Sequence, residues 1–184
     1  MDNGAISYQR FLDGDDEGIV EIIRDYKDGL ILYLSGITGN IVYAEEIMED
    51  TFFRLVTKKP RFSGRSSFKT WLYSIGRNSA IDSLRNKSRF SDIPVDEYIN
   101  LADELSIERD YLKYEQKILL HRALQKLNPD YRQVLYLIFF ENFSNSETAK
   151  IMHKTKRQVE NLLYRAKQSL KSELEKEGFE YEVI

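Results

Sequence analysis

Apolar residues recur at helical spacing through most of the chain, and few residues interrupt that pattern. The 184 residues include only three prolines and nine glycines, so long segments lack the residues that end helices. The clearest stripe is Val159, Leu162, Leu163, Ala166 and Leu170. The predicted helices lie near 16–37, 41–57, 66–89, 107–127, 130–141, 145–152 and 156–175. The pattern therefore predicts an all-α fold.

Composition excludes several classes of protein. The chain has no cysteine, and its two histidines, His121 and His153, are far apart in sequence, so we expect no disulfide, metal site or cofactor. No glycine-rich phosphate loop, nucleophile elbow or paired histidine and carboxylate cluster indicates an enzyme. No apolar run has the length of a membrane span, and the start lacks the order of a secretion signal. We predict a soluble, cytoplasmic protein that is not an enzyme.

Charge is segregated along the chain. Residues 54–89 carry ten basic side chains and one acidic, residues 90–108 carry six acidic and none basic, and residues 150–171 carry seven basic and one acidic. Basic patches of this density can neutralise several phosphates. Two merely solvated basic faces are the alternative interpretation.

The acidic stretch also divides the chain. Residues 91–106 contain Pro94 and show weak periodicity, which is typical of a linker. We therefore predict two small helical domains, residues 1–90 and 107–184, joined by a linker at 91–106.

The second domain carries a helix-turn-helix pattern. Ser144 and Glu147 form a capping box, and Thr155 is the next predicted N-cap after a turn at His153. That turn usually has Gly, although His tolerates positive φ better than most residues. The polar residues that face away from the apolar stripe of the second helix are Arg157, Asn161, Tyr164, Arg165 and Gln168. Arg and Asn near the start of such a helix can bind base edges, and Lys156, Arg165 and Lys167 could hold phosphates. The alternative is an ordinary amphipathic helix in a bundle.

The helix near 66–89 combines an anchor with a polar strip. Ser66 is its predicted N-cap, and Phe68 lies on its apolar face with Leu72 and Ile75. Between its faces lie Trp71, Asn78, Asp82 and Arg85. An aromatic ring beside hydrogen-bonding groups and a basic tail suits a single nucleic-acid strand. Trp71 could also be simply a core residue.

These motifs resemble one family. The segment RFSGRSSFKTWLYSIGRNSAIDSLRNKSR, at 61–89, resembles the promoter-melting segment of bacterial sigma factors of the sigma-70 family, extracytoplasmic-function group. YAEEIMEDTFFRLV, at 43–56, is similar to the family's polymerase-binding helix, and residues 143–170 resemble its C-terminal domain. The resemblance implies sigma domains 2 and 4, and a subunit that recruits core RNA polymerase, selects promoters and helps to melt the minus-ten region.

The resemblance also implies site residues. For the minus-ten element these are Phe62, Gly64, Ser66, Phe68, Lys69, Trp71, Asn78, Asp82 and Arg85. For the minus-thirty-five element they are Thr155, Lys156, Arg157, Gln158, Asn161 and Arg165. Glu46, Glu49, Asp50 and Phe53 match the polymerase-binding helix, where the family more often has Asp, Gln and Glu at the first three places. Glu160 stands where the family commonly has Lys.

The partners that the resemblance implies are the β′ clamp helices and β subunit of core RNA polymerase, promoter DNA, and an anti-sigma factor. The acidic linker would either lie in polymerase channels that later hold RNA or serve as a solvated tether. Two other classes stay open from the residues alone. A stand-alone helix-turn-helix regulator would explain only the second domain, and a helical adaptor would not explain the basic patches.

Overall fold

The computed structural model describes residues 2–90 and 111–177, without the side chains of residues 87–90 and 111–118. The N-terminal module consists of α1 (Asn3–Leu12), α2 (Glu17–Thr38), α3 (Ile41–Lys58) and α4 (Phe68–Phe90). The C-terminal module consists of α5 (Tyr111–Lys126), α6 (Pro129–Leu135), a π-helical segment (Tyr136–Phe140), α7 (Asn145–Met152) and α8 (Lys156–Lys176). All regular structure in these ranges is helical, so the predicted all-α fold is confirmed. The predicted linker, 91–106, lies outside the described residues.

Most predicted helices agree with the structure within two residues, but α1 was missed. Its buried face contains Gly4 and Ser7 beside Tyr8 and Phe11. Two of these four residues are not large and apolar, so the stripe that normally indicates a helix is incomplete. Asp2 provides the start signal, because its side chain accepts a hydrogen bond from the backbone N–H of Ala5.

Two other predictions need correction. The N-cap of α4 is Ser67 rather than Ser66, since the Ser67 hydroxyl accepts a hydrogen bond from the N–H of Thr70 at 3.2 Å. The helix predicted at 130–141 is α-helical only to Leu135, and the π-helical segment follows. Within that segment the N–H of Glu141 donates to the carbonyl of Tyr136, five residues earlier, at 3.0 Å.

Local signals explain most helix starts in the C-terminal module. The Asn128 side chain accepts from the N–H of Tyr131 at 2.9 Å, and Pro129 opens α6. Ser144 and Glu147 form the predicted capping box of α7. These caps satisfy backbone donors that a helix start leaves without intrahelical partners.

Helix α2 is the centre of the molecule. It packs against α1, α3 and α4 of its own module and against α6 of the C-terminal module. Leu30, Tyr33 and Leu34 on α2 are fully buried, and a continuous hydrophobic core extends from them into the C-terminal module. The two modules therefore pack directly against each other. None of the described helices is both long and apolar enough to span a membrane.

Candidate nucleic-acid interface

Four aromatic rings form a cluster at the start of α4, which we call the aromatic box: Tyr8, Phe62, Phe68 and Trp71. The ring centroid of Trp71 lies 5.3 Å from that of Phe62 and 5.4 Å from those of Phe68 and Tyr8. Phe68 is fully buried, whereas Phe62 and Trp71 are half-buried. Trp71 therefore belongs to the core on one side and reaches the surface on the other.

The loop between α3 and α4 is fastened by α1. The Tyr8 hydroxyl donates to the backbone carbonyl of Pro60 at 2.8 Å, and burial raises the pKa of Tyr8 to about 12. The Asp2 carboxylate accepts from the N–H of Phe68, at the other end of the loop. Sequence reasoning missed both residues, because a partner more than fifty positions away leaves no local pattern.

Basic and polar residues surround this loop. Gly64 has φ +68°, a conformation that favours glycine, at the exposed tip. Farther along α4, Asn78 and Asp82 are exposed. A carboxylate oxygen of Asp82 lies 3.9 Å from the guanidinium of Arg85, and about 70% of both side chains is exposed, so this pair is weak. The structure thus brings Phe62, Phe68 and Trp71 together, whereas the Lys69 ammonium lies over the rings of Tyr73 and Phe143.

The C-terminal module covers part of this surface. The ammonium of Lys69 lies 2.8 Å from a carboxylate oxygen of Glu141 and also donates to the Glu141 carbonyl at 2.9 Å. The Tyr73 hydroxyl donates to the same carboxylate at 2.7 Å. Burial, and then the neighbouring Glu141 carboxylate, raise the pKa of Tyr73. The hydroxyl therefore stays protonated and acts as a donor.

Residues of the C-terminal module make further contacts with α4 and with the loop before it. Nε2 of His153 lies 3.0 Å from Oδ1 of Asn78, and Lys150 donates to the carbonyl of Arg65 at 3.1 Å. One carboxylate oxygen of Glu147 accepts longer bonds, at 3.4 Å, from the hydroxyls of Ser67 and Thr70. Sequence reasoning did not place Glu141 or Glu147 at this surface, since it treated the modules separately.

The second candidate surface is α8. His153 has φ +54° at the turn before it, which agrees with the predicted left-handed residue there. Val159 and Ala166 are buried, whereas Arg157, Asn161 and Arg165 are exposed. The predicted stripe therefore faces the core, and the predicted polar residues face solvent.

Two predicted residues at the start of α8 serve its cap. The Thr155 hydroxyl accepts from the N–H of Gln158 at 3.2 Å, and the Gln158 side-chain oxygen accepts from the N–H of Thr155 at 2.7 Å. Lys156 lies 3.9 Å from Glu160, so these two exposed side chains form a weak ion pair. Thr155 and Gln158 thus fix the first turn of the exposed helix.

A third surface lies on α3, and we call it the α3 face: Val42, Glu46, Glu49, Asp50, Phe53 and Val56. Ala44, Ile47 and Leu55 pack into the core on the other side. Phe53 is 67% exposed, an unusually high fraction for a phenylalanine, and Val42 and Val56 are 59% and 40% exposed. Sequence reasoning named the three carboxylates and Phe53 but missed the two valines, which recur at helical spacing.

Among the described residues, no cluster of three or more His, Asp or Glu is arranged to hold a metal ion. The three surfaces differ in chemistry: aromatic rings with donors on α4, donors on α8, and an apolar and acidic face on α3.

Comparison with known proteins matches two family descriptions to this chain. Sigma-70 region 2 matches residues 22–90, and Sigma-70, region 4 matches residues 117–170. The RNA polymerase sigma factor YlaC of Bacillus subtilis is 28% identical over 162 residues, which cover 87% of this chain and 94% of that protein. The ECF RNA polymerase sigma factor SigW of the same organism is 26% identical over 172 residues, covering 88% and 91%.

Two solved structures share the fold. RpoE from Bartonella quintana, in complex with the anti-sigma factor NepR, has a TM-score of 0.69 at 21% identity and covers 84% of this chain and 95% of that one. CnrH in complex with the cytosolic domain of CnrY has a TM-score of 0.68 at 18% identity, covering 95% and 98%.

Proposed function

Because this chain is a sigma factor of the sigma-70 family, extracytoplasmic-function group, we propose that its three surfaces divide the work of promoter recognition. The α3 face binds core RNA polymerase, the aromatic box and polar strip of α4 bind the minus-ten strand, and α8 binds the minus-thirty-five duplex. The protein acts in the bacterial cytoplasm, where polymerase and promoter meet.

The α3 face supports the polymerase-binding role. Phe53 follows the three carboxylates along the exposed side of α3 and is 67% exposed. Aromatic anchors surrounded by polar residues are typical of the energetic centres of protein interfaces, where truncation costs about 2–4 kcal/mol. We propose that Phe53 enters a pocket of the β′ clamp helices while Glu46, Glu49 and Asp50 meet basic residues around it.

The aromatic box carries the minus-ten proposal. Trp71 and Phe62 have half-buried rings beneath a loop that is fixed at both ends. Flipping a base out of the duplex costs a few kcal/mol, and a surface that is already ordered does not add its own ordering cost. We propose that one non-template base enters beside Trp71, with Gly64 and Ser66 against the backbone, and that Asn78 bonds a neighbouring base.

Helix α8 supports the duplex role. Its exposed Arg157 and Asn161 lie in the first two turns, where a recognition helix meets base edges in the major groove. Arg165 lies one turn later and suits a phosphate. Thr155 and Gln158 hold the first turn through the capping box and can meet the backbone from the same position.

We also propose that an anti-sigma factor binds this chain. The related structures of RpoE with NepR and of CnrH with the cytosolic domain of CnrY are complexes, and the exposed α3 face would suit such a partner. A stand-alone helix-turn-helix regulator is not favoured, because the region 2 match and the α3 face have no role in it.

Run-off transcription with core polymerase and a promoter library tests the proposal. The chain should direct transcription from a subset of promoters, and Phe53→Ala should reduce the yield by at least tenfold unless the protein concentration is raised. Val20→Ala is the matched control, because Val20 is 51% exposed but lies on α2. Tight and selective duplex binding by the chain alone, with no response to core polymerase, would contradict the proposal.

A further inference from the structure

Helix α1 lies before the part of the chain that matches Sigma-70 region 2. It ends at Leu12, whereas the match covers residues 22–90. Yet α1 packs against α2 and against the start of α4, and Tyr8 supplies one of the four rings of the aromatic box. Helix α1 therefore contributes to the surface assigned to the minus-ten strand from outside the matched region.

One carboxylate at the start of α1 serves two helix starts. Oδ1 of Asp2 accepts from the N–H of Ala5 at 3.3 Å, which caps α1, and Oδ2 accepts from the N–H of Phe68, the first residue of α4. The N–H groups of a helix start lack partners within the helix, and a negative charge beside them is favourable. Asp2 therefore holds the end of the loop between α3 and α4 against the start of α1.

The beginning of the same loop is held by two rings of α1. The Tyr8 hydroxyl donates to the carbonyl of Pro60 at 2.8 Å, and the ammonium of Lys59 lies 4.7 Å from the centre of the Phe11 ring, within the range of a cation–π interaction. Lys59 has φ +43°, which is uncommon for a residue with a side chain. Contacts with α1 thus hold the chain in a turn that its own residues do not favour.

Helix α1 is itself fixed to the helices beneath it. The Ser7 hydroxyl donates to the Glu21 carboxylate of α2 at 2.6 Å. A Cβ atom added to Gly18 would lie 2.2 Å from the carbonyl oxygen of Ser7, and one added to Gly4 would lie 2.5 Å from the ring of Phe68. Both glycines therefore permit close approach of backbone to its neighbours, so α1 is a rigid support for the loop.

Two residues assigned to the minus-ten strand, Phe62 and Gly64, lie between the held ends of the loop. A site that is in its binding form for only part of the time binds more weakly in proportion. We propose that Asp2 and Tyr8 are positioning residues for the captured base: they hold the loop closed against the aromatic box, and selectivity at that base depends on both. The proposal rests on the proposed function, which places the base beside Trp71.

The first experiment measures the loop without DNA. Trp71 is the only tryptophan of the chain, so acrylamide quenching of its fluorescence in the free, full-length chain reports on the aromatic box. Tyr8→Phe removes only the hydroxyl. Asp2→Ser keeps an acceptor for the α1 cap, because Ser caps a helix about as well as Asp, but has no second oxygen for Phe68. The quenching rate constant should rise about twofold when both changes are combined, because the loop then opens locally.

Two matched variants control for these changes. Tyr26→Phe removes the hydroxyl of another tyrosine whose ring packs against Phe68. Asp16→Ser removes a carboxylate at the N-cap of α2, where the side chain makes no capping hydrogen bond. Both controls should quench like the unchanged chain. No rise in the combined variant, or an equal rise in the controls, would overturn the proposal.

The second experiment measures base selectivity in the holoenzyme. The probes are fluorescein-labelled non-template strands of a minus-ten region selected by run-off transcription, each with one abasic nucleotide at a different position. For the unchanged holoenzyme, the abasic nucleotide at the captured position should weaken binding about tenfold or more, because it removes the stacking of one base on an aromatic ring. Tyr8→Phe combined with Asp2→Ser should reduce this penalty to about threefold or less, since two hydrogen bonds that close the loop are lost.

Each penalty is a ratio of two affinities of the same protein. A smaller amount of folded protein cancels in that ratio, so a merely structural role of Asp2 and Tyr8 would not change it. The position assigned to Asn78, which Asn78→Ala identifies, should keep its penalty in the combined variant.

The outcomes separate the two proposals. A penalty that is present in the unchanged holoenzyme and equally large in the combined variant would overturn the role of Asp2 and Tyr8 and leave the proposed function in place. Absence of a penalty at every position in the unchanged holoenzyme would contradict base capture in the proposed function, and with it the role of the two residues in selectivity.

Discussion

The surfaces of α4 and α8 differ in access although both are assigned to promoter DNA. On α8 the polar face is open to solvent, and its charged side chains are stable in water. On α4 the assigned surface includes half-buried aromatic rings, and the C-terminal module lies on its donors. A single-strand site must present apolar rings, which are a liability when exposed, whereas a duplex-binding helix need present only polar groups. The rings contact residues of their own module, whereas the C-terminal module lies on Lys69 and Asn78, so the difference in access concerns these polar groups.

The largest effect is expected at α4, for Asn78→Ala in the holoenzyme. A base-directed hydrogen bond contributes about 1–3 kcal/mol, so run-off transcription should fall about 5- to 150-fold. The variant should compete with the unchanged chain for core polymerase as well as the unchanged chain itself does, because Asn78 lies outside the α3 face. Asn86→Ala is the matched control, as Asn86 is an exposed asparagine on the same helix. Unchanged transcription would remove Asn78 from the proposed site.

A smaller and more selective loss is expected on α8. Arg157→Ala should weaken binding about tenfold at promoters with particular base pairs in the minus-thirty-five element and little at others. Selection of promoters from a randomised duplex library by the holoenzyme measures this preference. Lys156→Ala should weaken binding to all promoter sequences by about the same factor. A uniform loss for Arg157→Ala would make it a phosphate contact and would leave α8 without its main specificity residue.

Glu160→Lys should raise the affinity of the holoenzyme for promoter DNA a few-fold. The new cation can meet a phosphate, so affinity should rise on all sequences, and the slope of affinity against salt should steepen by about 0.9. Glu175→Lys controls for the charge change. If the substitution instead alters the preferred base at one position, the Glu160 carboxylate itself contacts a base, for which a cytosine amine is the natural partner.

The smallest effect is a pH dependence of stability at the contact between the two modules, where Glu147 of α7 meets Ser67 and Thr70. Partial burial raises the pKa of Glu147, but hydrogen bonds from Ser144, Thr70 and Ser67 lower it by more, so it lies below the ordinary 4.5. A lowered pKa adds stability above about pH 4.5 that is lost as the pH falls through the folded-state value. Between pH 7 and acid pH, the urea concentration at the midpoint of unfolding should therefore fall less for Glu147→Gln than for the unchanged chain. Glu175→Gln should behave as the unchanged chain, and equal losses in all three would contradict the prediction.

The structural features that depend on a local sequence pattern could be predicted from the sequence. The apolar stripe of α8, the capping box at Ser144, the N-cap at Thr155 and the left-handed His153 all follow from residues within a few positions of one another. The same kind of pattern predicted the helices α2 and α3. Helical periodicity alone was therefore enough to assign the polar residues of α8 to its exposed face.

The cover of α4 could not be predicted in this way. Its contacts join residues far apart in the chain, such as Lys69 with Glu141 and Asn78 with His153. Neither partner carries a local signal, and Glu147 had already been explained by its capping role. The spacing of Gly29 and Gly36 is the one available sequence signal, because glycines on one face of a buried helix indicate close approach of another element.

The π-helical segment determines how the contact between the two modules responds to a one-codon deletion. Between Tyr136 and Phe140 the backbone holds one residue more than an α-helical turn would, and Glu141 follows directly. Such a segment takes up one extra residue locally, so removing one codon there should restore an α-helix and leave Glu141 close to its place opposite Lys69. The contact between the modules should therefore tolerate a single in-frame deletion at this point.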